Sequence, residues 1–387
     1  GMVADRYDKR KIMIFGDLFG IIGTFMVYTL YSTGNLKVWH ICLSIIIGSI
    51  GGSFQRPAFL SAIPILVPKC YLGQANGILQ FISSGGQMLG PILGASALYA
   101  FGMKGVLFLD FISCFATVGT LLFIRFPERE FKKREEPFKK ELIGGWNYIW
   151  KRHSMVVMVV YFVVANFLMS LVTVVFTPLA IGVSTEKQLG IVLGTNAAGV
   201  VVGSLIMSLW GGTKRRATGM VGFLILTSIS MIIMGLRPSP IFVGAGLFLF
   251  GASIAFVDTH WQIMIQSKVG LELQGRVFSI NEMIVSIFRP FAFLLAPVLI
   301  DSIFKPLMDG DSALKQMMES IIGSGDTRGV GLFVTVVGVI LLVFAVFGMK
   351  YRPLRYMEDY LPDAIPGAII YKDKDKMQQE MDLMVRE

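Results

Sequence analysis

The chain is 387 residues long, 54% hydrophobic and only 16% charged, with a formal net charge of +9 and a mean hydropathy of +0.67. Ordinary soluble domains carry charge on about a quarter of their residues. The composition therefore excludes a soluble globular enzyme and points to a chain solvated by lipid. Three scattered cysteines, Cys42, Cys70 and Cys114, give neither a disulfide framework nor a metal cluster.

In chain order, a polar segment at residues 1–11 gives way to apolar blocks of about the 20 residues needed to cross a bilayer. Ten such blocks are legible. The first five are Ile12 to Tyr31, Val38 to Val67, Ile78 to Phe101, Gly105 to Phe126 and Met155 to Ile181. The second five are Leu189 to Leu209, Ala217 to Leu236, Pro240 to Gln266, Val277 to Ile300 and Val330 to Met349. Their length predicts helices, because a barrel strand would be about ten residues of alternating character. The first block is too long for a signal peptide. The expected fold class is therefore an all-α membrane protein.

Threading the blocks alternately puts 26 of the 35 Lys and Arg residues on one side and 7 on the other, with Arg56 and Arg289 inside blocks. This bias is the positive-inside pattern. It predicts a multi-pass protein of the plasma (inner) membrane with its C-terminus cytoplasmic. The basic excess sets orientation, and no nucleic-acid partner is expected.

A polar interval from Arg125 to His153 separates four blocks from six. Its second part, Phe138 to Trp150, has apolar residues at helical spacing and fits either a membrane-surface helix or a solvated linker. Gly77-Ile78-Leu79 with Gly90-Pro91 is echoed 199 residues later by Arg276-Val277-Phe278 with Arg289-Pro290. Gly211 to Arg216 faintly repeats the opening loop. These features together predict internal duplication. Between the last two blocks, Asp301 to Gly329 reads as a polar insert with a short helix at Ala313 to Ile322, and the tail after Tyr351 lacks a core pattern.

The chemistry resides in polar residues inside apolar blocks, which are expensive and mark function or an interhelical clamp. Asp258, His260, Gln262 and Gln266 share one block, with Asp258 and Gln262 one turn apart. At 1.5 Å per residue, Asp258 lies about 15 Å from Lys268, and Arg56 and Arg289 roughly 20 Å from Lys69 and Arg276. All three fall near the midplane, with Glu282 lower at about 9 Å from Arg276. Asp258 is the favoured proton-coupling acid, facing Arg56 across a cavity, or else a buried ion-pair partner. Glu282 and Arg289 share a face and form either a structural pair or part of the exchange path. His260 suits an interhelical hydrogen bond. His40, His153 and His260 are far apart, and no hydrolase elbow or phosphate loop is present. Neither enzyme chemistry nor cofactor nor metal is expected.

Two motifs carry a family resemblance. The opening run Gly1-Met2-Val3-Ala4-Asp5-Arg6-Tyr7-Asp8-Lys9-Arg10-Lys11 resembles the signature cytoplasmic loop of the major facilitator superfamily, with Asp8 where the family has Gly. Gly86-Gln87-Met88-Leu89-Gly90-Pro91-Ile92-Leu93-Gly94-Ala95 resembles that family's antiporter motif, with Ala95 for its last Gly. Its glycines at i, i+4 and i+8 give a smooth face, and Pro91 removes a backbone donor. Packing and kinking alone would also explain it. Phe54 to Phe59, Ile63-Pro64, Val67-Pro68 and Ala75-Asn76 resemble a macrolide-efflux-like branch.

The resemblance implies two pseudo-symmetric bundles with ten of twelve helices present, the first two lacking. It implies residues 1–126 as the remainder of an N-terminal bundle (helices 3–6) and 127–153 as linker. Residues 154–350 become the C-terminal bundle (helices 7–12) and 351–387 the cytoplasmic tail. It implies a monomeric exporter of an amphipathic small molecule or peptide-like metabolite by proton antiport, with substrate, protons and lipid as partners. A proton-coupled nutrient importer, or a non-transporting scaffold from a truncated gene, are the rival readings. By the same resemblance Asp5 would sit at the start of the helix beginning at Val277, and Arg6 and Arg10 would hold neighbouring helix ends. Gly86, Gly90 and Gly94 would pack directly on another helix.

Overall fold

In lipid, a segment must satisfy its backbone N–H and C=O groups internally, which favours helices. The computed structural model describes residues 8–123, 150, 153–270, 273–309, 328–355 and 358, and these are helical with short turns. The first helix, α1 (Lys9–Ser32), starts where the Asp8 side chain accepts from the Arg10 N–H at 2.9 Å, a standard N-cap. Helix α2 (Val38–Leu66) carries Pro57 and Pro64. The next helical run, Leu72–Phe123, has 52 residues. At 1.5 Å per residue it would reach about 78 Å, far more than one bilayer. It breaks at Gly102, where φ is 64° and ψ 178°, a conformation open essentially to glycine alone. The break makes two antiparallel limbs, α3 (72–101) and α4 (103–123).

The second group starts with α5 (His153–Thr173) and α6 (Phe176–Ile181), which together make one span. Helix α7 (Glu186–Trp210) opens on a reciprocal Thr185/Gln188 capping box and stops at Gly211, whose φ is 77°. Helices α8 (Arg216–Leu236) and α9 (Pro240–Lys268) follow. Ser239 caps the latter, with proline at its first position. Helix α10 (Gln274–Leu299) runs on through a π turn at Ile300–Phe304 into α11 (Lys305–Asp309). The polar insert expected from Asp301 is therefore corrected at its near end: the helix continues to Asp309, with Lys305 paired to Asp301 at 2.6 Å. The rest of that insert, with the short helix at Ala313 to Ile322, lies outside the described residues, as does nearly all of the linker. The chain resumes in α12 (Arg328–Lys350) and α13 (Arg352–Arg355).

Nine described helices are long and apolar enough to cross a membrane. The tenth apolar block, Ile78 to Phe101, is the limb α3. The helices form two bundles, α1–α4 and α5–α12, with no β-sheet among the described residues. The second bundle has the larger core, with Phe162 stacked on Trp261 at 3.9 Å between centroids and Leu224, Phe250 and Phe333 fully buried. Small residues set the closest crossings, as is usual in lipid. A methyl at Gly199 or Gly203 of α7 would overlap the backbone of Phe248 or Ala252 in α9. In the first bundle, Gly16 and Gly51 bring α1 onto α2, and Lys9 donates to Ser61 at 2.7 Å.

The seam between bundles is formed by α3 against α7 and α2 against α10. It is tightest at the end that holds Lys69, Lys214–Arg216, Lys268 and Arg276, the basic end of the molecule. There, Gly73 packs on the Gly211 carbonyl and Gly77 on the Met207–Ser208 backbone. These contacts correct the packing expected of Gly86, Gly90 and Gly94. A methyl at any of those three would meet nothing within 4 Å, and the close approach occurs nearer the start of the same limb.

Candidate functional site

The seam carries four charged side chains on otherwise apolar helices, three of them exposed and Asp258 half-buried. Arg56 of α2 and Glu282 of α10 are paired across the bundles, with 3.7 Å between Arg56 Nη2 and Glu282 Oε1. Asp258 of α9 is half-buried and lies within the electrostatic reach of Glu282, Arg56 and Arg289. Two cations and two acids thus converge from three helices. Their sum is neutral, which is what a low-dielectric surround tolerates best.

The geometry follows from where the helices end. Arg56 is ten residues from the end of α2, Asp258 ten from the end of α9 and Glu282 eight from the start of α10. At 1.5 Å per residue all three stand about 12–15 Å from the basic end. Arg56 and Asp258 stand about 15 Å from that end and Glu282 about 12 Å, all towards the middle of the bilayer. Arg56 and Glu282 meet at this depth, and the acid nearest Arg56 is Glu282 rather than the expected Asp258. Arg56 and Glu282 are 68% and 48% exposed, so their ion pair opens into space rather than into packed core. Arg289, two turns on from Glu282, lines a recess of about 420 Å³ with Ser286, Pro290, Phe293 and Leu294.

Below this cluster, towards the basic end, a buried polar latch closes the seam. Gln266 lies two turns from Asp258 on α9 and is fully buried. Its Oε1 accepts from Asn76 Nδ2 of α3 at 2.7 Å, and its Nε2 donates to the Leu60 carbonyl of α2 at 3.2 Å. Gln274, at the start of α10, donates to the carbonyls of Gln266 and Val269 at 2.8 and 2.9 Å. Side chains from both bundles thus satisfy one another where no water reaches, and losing one partner strands the others. Gln262, between Asp258 and Gln266 on the same face, is half-buried.

His260 takes the interhelical role. Its Nε2 accepts the Thr213 N–H at 3.2 Å, and its Nδ1 lies 2.7 Å from the Phe256 carbonyl. The neutral ring with its proton on Nδ1 fits both bonds. Arg10 donates to the Leu122 carbonyl near the end of α4. Gly1, Asp5 and Arg6 lie outside the described residues, and so does the contact expected of Asp5. Pro91 falls within α3. Among the described residues, no group of three His, Cys, Asp or Glu is placed to hold a metal.

Two further acids lie inside spans of the first bundle. Asp17 is eight residues into α1, about 12 Å from its start, and accepts from Gln55 Nε2 at 2.7 Å. Asp110 of α4 accepts from Thr24 at 2.6 Å. The Asp17–Gln55 bond fixes α2 one residue before Arg56. Helix α1 begins at Lys9 rather than at Ile12, which moves Asp17 inwards by nearly one turn.

The chain matches the sequence profile of the Major Facilitator Superfamily over residues 1–293. It is 24% identical over 318 residues to Macrolide efflux protein A of Streptococcus pyogenes, covering 78% of this chain and 76% of that protein. It is 26% identical over 295 residues to Multidrug resistance protein MdtG of Dickeya zeae, covering 73% and 68%. Among solved structures, the human organic anion transporter MFSD10 superposes with a TM-score of 0.64 at 13% identity, covering 89% of this chain and 78% of that one. The family match runs from residue 1 and the described helices are in place from Lys9 onward, and the expectation of two lacking helices is withdrawn. Profile, fold and a charged seam between two bundles agree: the chain belongs to the Major Facilitator Superfamily of secondary transporters, which move solutes by alternating access and are not enzymes.

Proposed function

We propose that this transporter exports an amphipathic small molecule in exchange for protons, with its basic end and C-terminus in the cytoplasm. The observation that carries this reading is the four-charge cluster at the seam. Arg56 belongs to one bundle, and Asp258, Glu282 and Arg289 to the other. When the bundles rock apart, Arg56 parts from Glu282, and when they close the pair re-forms. A cation that comes and goes beside an acid links proton transfer there to the movement. Proton loading is thereby tied to bundle position, which exchange requires.

The conformer is shut at the basic end by the Gln266 latch and the Gly73 and Gly77 contacts. It is therefore the state whose cavity faces outward, where a proton enters and an exported molecule leaves. The recess beside Arg289, with its Phe293 and Leu294 walls, suits a ligand with a large apolar body. Two lines of descent support an efflux role: the similarity to relatives named for macrolide efflux and multidrug resistance, and the glycine motif at Gly86, Gly90 and Gly94.

Uptake of radiolabelled erythromycin into inside-out vesicles tests the reading. Vesicles with an acidic lumen should accumulate the macrolide when they carry the wild-type protein, and collapsing the pH gradient should release it. Asp258→Asn should abolish the gradient-driven part while leaving the protein inserted. Accumulation only in right-side-out vesicles would establish import instead. Gradient-driven uptake that survives both Asp258→Asn and Glu282→Gln would remove the cluster from coupling.

A further inference from the structure

The loop Gly211 to Arg216 and the first turns of α8 line a trench that shares no residue with the four-charge cluster. It has a volume of about 430 Å³. Its basic-end mouth carries Thr213, Arg215 and Thr218, and its wall along the membrane carries Gly222, Phe223 and Leu226. Thr218 and Leu226 are eight residues apart on one helix, so the trench runs about 12 Å into the bilayer. Hydroxyls and a guanidinium thus stand at the surface, with an apolar channel below.

The mouth is rigid. Gly211 and Gly212 have φ of 77° and 87°, which only glycine adopts readily. The Thr213 N–H is held by His260, the Thr213 hydroxyl donates to the Arg215 carbonyl at 2.9 Å, and Arg216 donates to the Gly211 carbonyl at 2.6 Å. Lys214, Arg215 and Arg216 are consecutive, and the first two are exposed. Glu358 lies beside this loop, accepting from the Ala217 N–H at 3.0 Å, and its carbonyl accepts from Lys268 at 3.0 Å. The trench floor is open at Gly222, where an added methyl would meet nothing within 4 Å. At Gly219 it would overlap Thr213 and His260, so that position belongs to the wall's interior.

We infer that this trench binds one anionic phospholipid from the leaflet at the basic end, its phosphate at Thr213, Arg215 and Thr218 and one acyl chain along Gly222, Phe223 and Leu226. Charge complementarity selects the lipid. A basic cluster at a membrane surface attracts anionic headgroups, and guanidinium and hydroxyl groups suit phosphate oxygens. An apolar channel beneath the mouth has no use for a soluble anion. Because α8 and the loop also hold His260 of α9, a bound lipid braces the end of the seam next to the latch.

Native mass spectrometry of the full chain in detergent, titrated with phosphatidylglycerol or phosphatidylcholine, tests the inference. The wild-type protein should retain one phosphatidylglycerol in preference to phosphatidylcholine. Gly222→Leu fills the channel without touching the charges, and leucine suits a helix interior better than glycine. It should weaken the first phosphatidylglycerol by roughly tenfold, and Lys214→Gln with Arg215→Gln should remove the preference by a similar factor. Thermal unfolding in phosphatidylcholine controls for folding, and Gly222→Leu should match the wild type there. Wild-type retention of phosphatidylglycerol by Gly222→Leu would overturn the site. So would displacement of the lipid by millimolar inorganic phosphate, which would show a headgroup-only contact.

Discussion

The two ends of the seam between the bundles are built differently. At the basic end, Gly73 and Gly77 let α3 touch the backbone of α7, and Gln266 stitches α9 to α3 and α2. Towards the other end, Gly86, Gly90 and Gly94 of the same limb face open space, Tyr99 is 96% exposed and Leu294 of α10 is 72% exposed. A single helix, α3, thus passes from glycines in hard contact to glycines with no contact. The contrast teaches that a smooth face permits closure without specifying it. Closure in this conformer is specified by polar partners at the basic end, and the free glycines leave a face on which the opposite end can shut.

Substitution at Gly77 should break this contrast most severely. A side chain there meets the Ser208 backbone nitrogen 2.5 Å from its first carbon, and backbone cannot yield as a flexible side chain does. Gly77→Leu should destabilise the seam by more than the ~1–3 kcal/mol of ordinary overpacking, read as a large fall in thermal unfolding temperature in detergent and loss of transport.

A smaller effect is expected at the latch. Gln266→Leu strands Asn76 and the Leu60 carbonyl in a buried setting, which should destabilise the protein by about 1–3 kcal/mol. Combining it with Asn76→Leu removes both partners and should restore most of that loss. Unfolding temperatures of the two single variants and the double variant measure the coupling. Full additivity would mean that the pair contributes nothing as a pair.

The smallest effect separates the two glycine runs. Gly90→Leu has room for its side chain, so thermal stability should change by less than about 0.5 kcal/mol. Transport should nonetheless fall, because the side chain blocks closure of the opposite end. A variant that transports normally would leave Gly86, Gly90 and Gly94 without a part in the cycle.

Much of this architecture was legible in the chain. Apolar blocks of bilayer length specify helices because lipid offers the backbone no partner, and charges inside them stand out for the same reason. Arg56, Asp258, Glu282 and Arg289 could therefore be singled out. Which acid meets which cation could not. That choice depends on which helix lies beside α2: the two acids stand at nearly one depth on neighbouring helices, and α2 packs more closely on α10 than on α9. The latch was hidden for a related reason: Asn76 and Gln266 are 190 residues apart, and neither carries a charge. The bend at Gly102 was legible as the gap between the blocks ending at Phe101 and starting at Gly105, although the helix runs up to it on both sides and the backbone angle marks the corner.

The basic end acts as a gate only if its polar contacts hold it shut and can be broken. Spin labels at Tyr71 and Lys214 would report that end, and labels at Asn35 and Arg237 the opposite one, by pulsed distance measurements in liposomes. The wild-type protein should give a predominantly short basic-end distance and a long distance opposite. Gln266→Leu should populate a longer basic-end distance with a matching shorter one opposite. An unchanged basic-end distribution in Gln266→Leu, or lengthening at both ends together, would contradict the account.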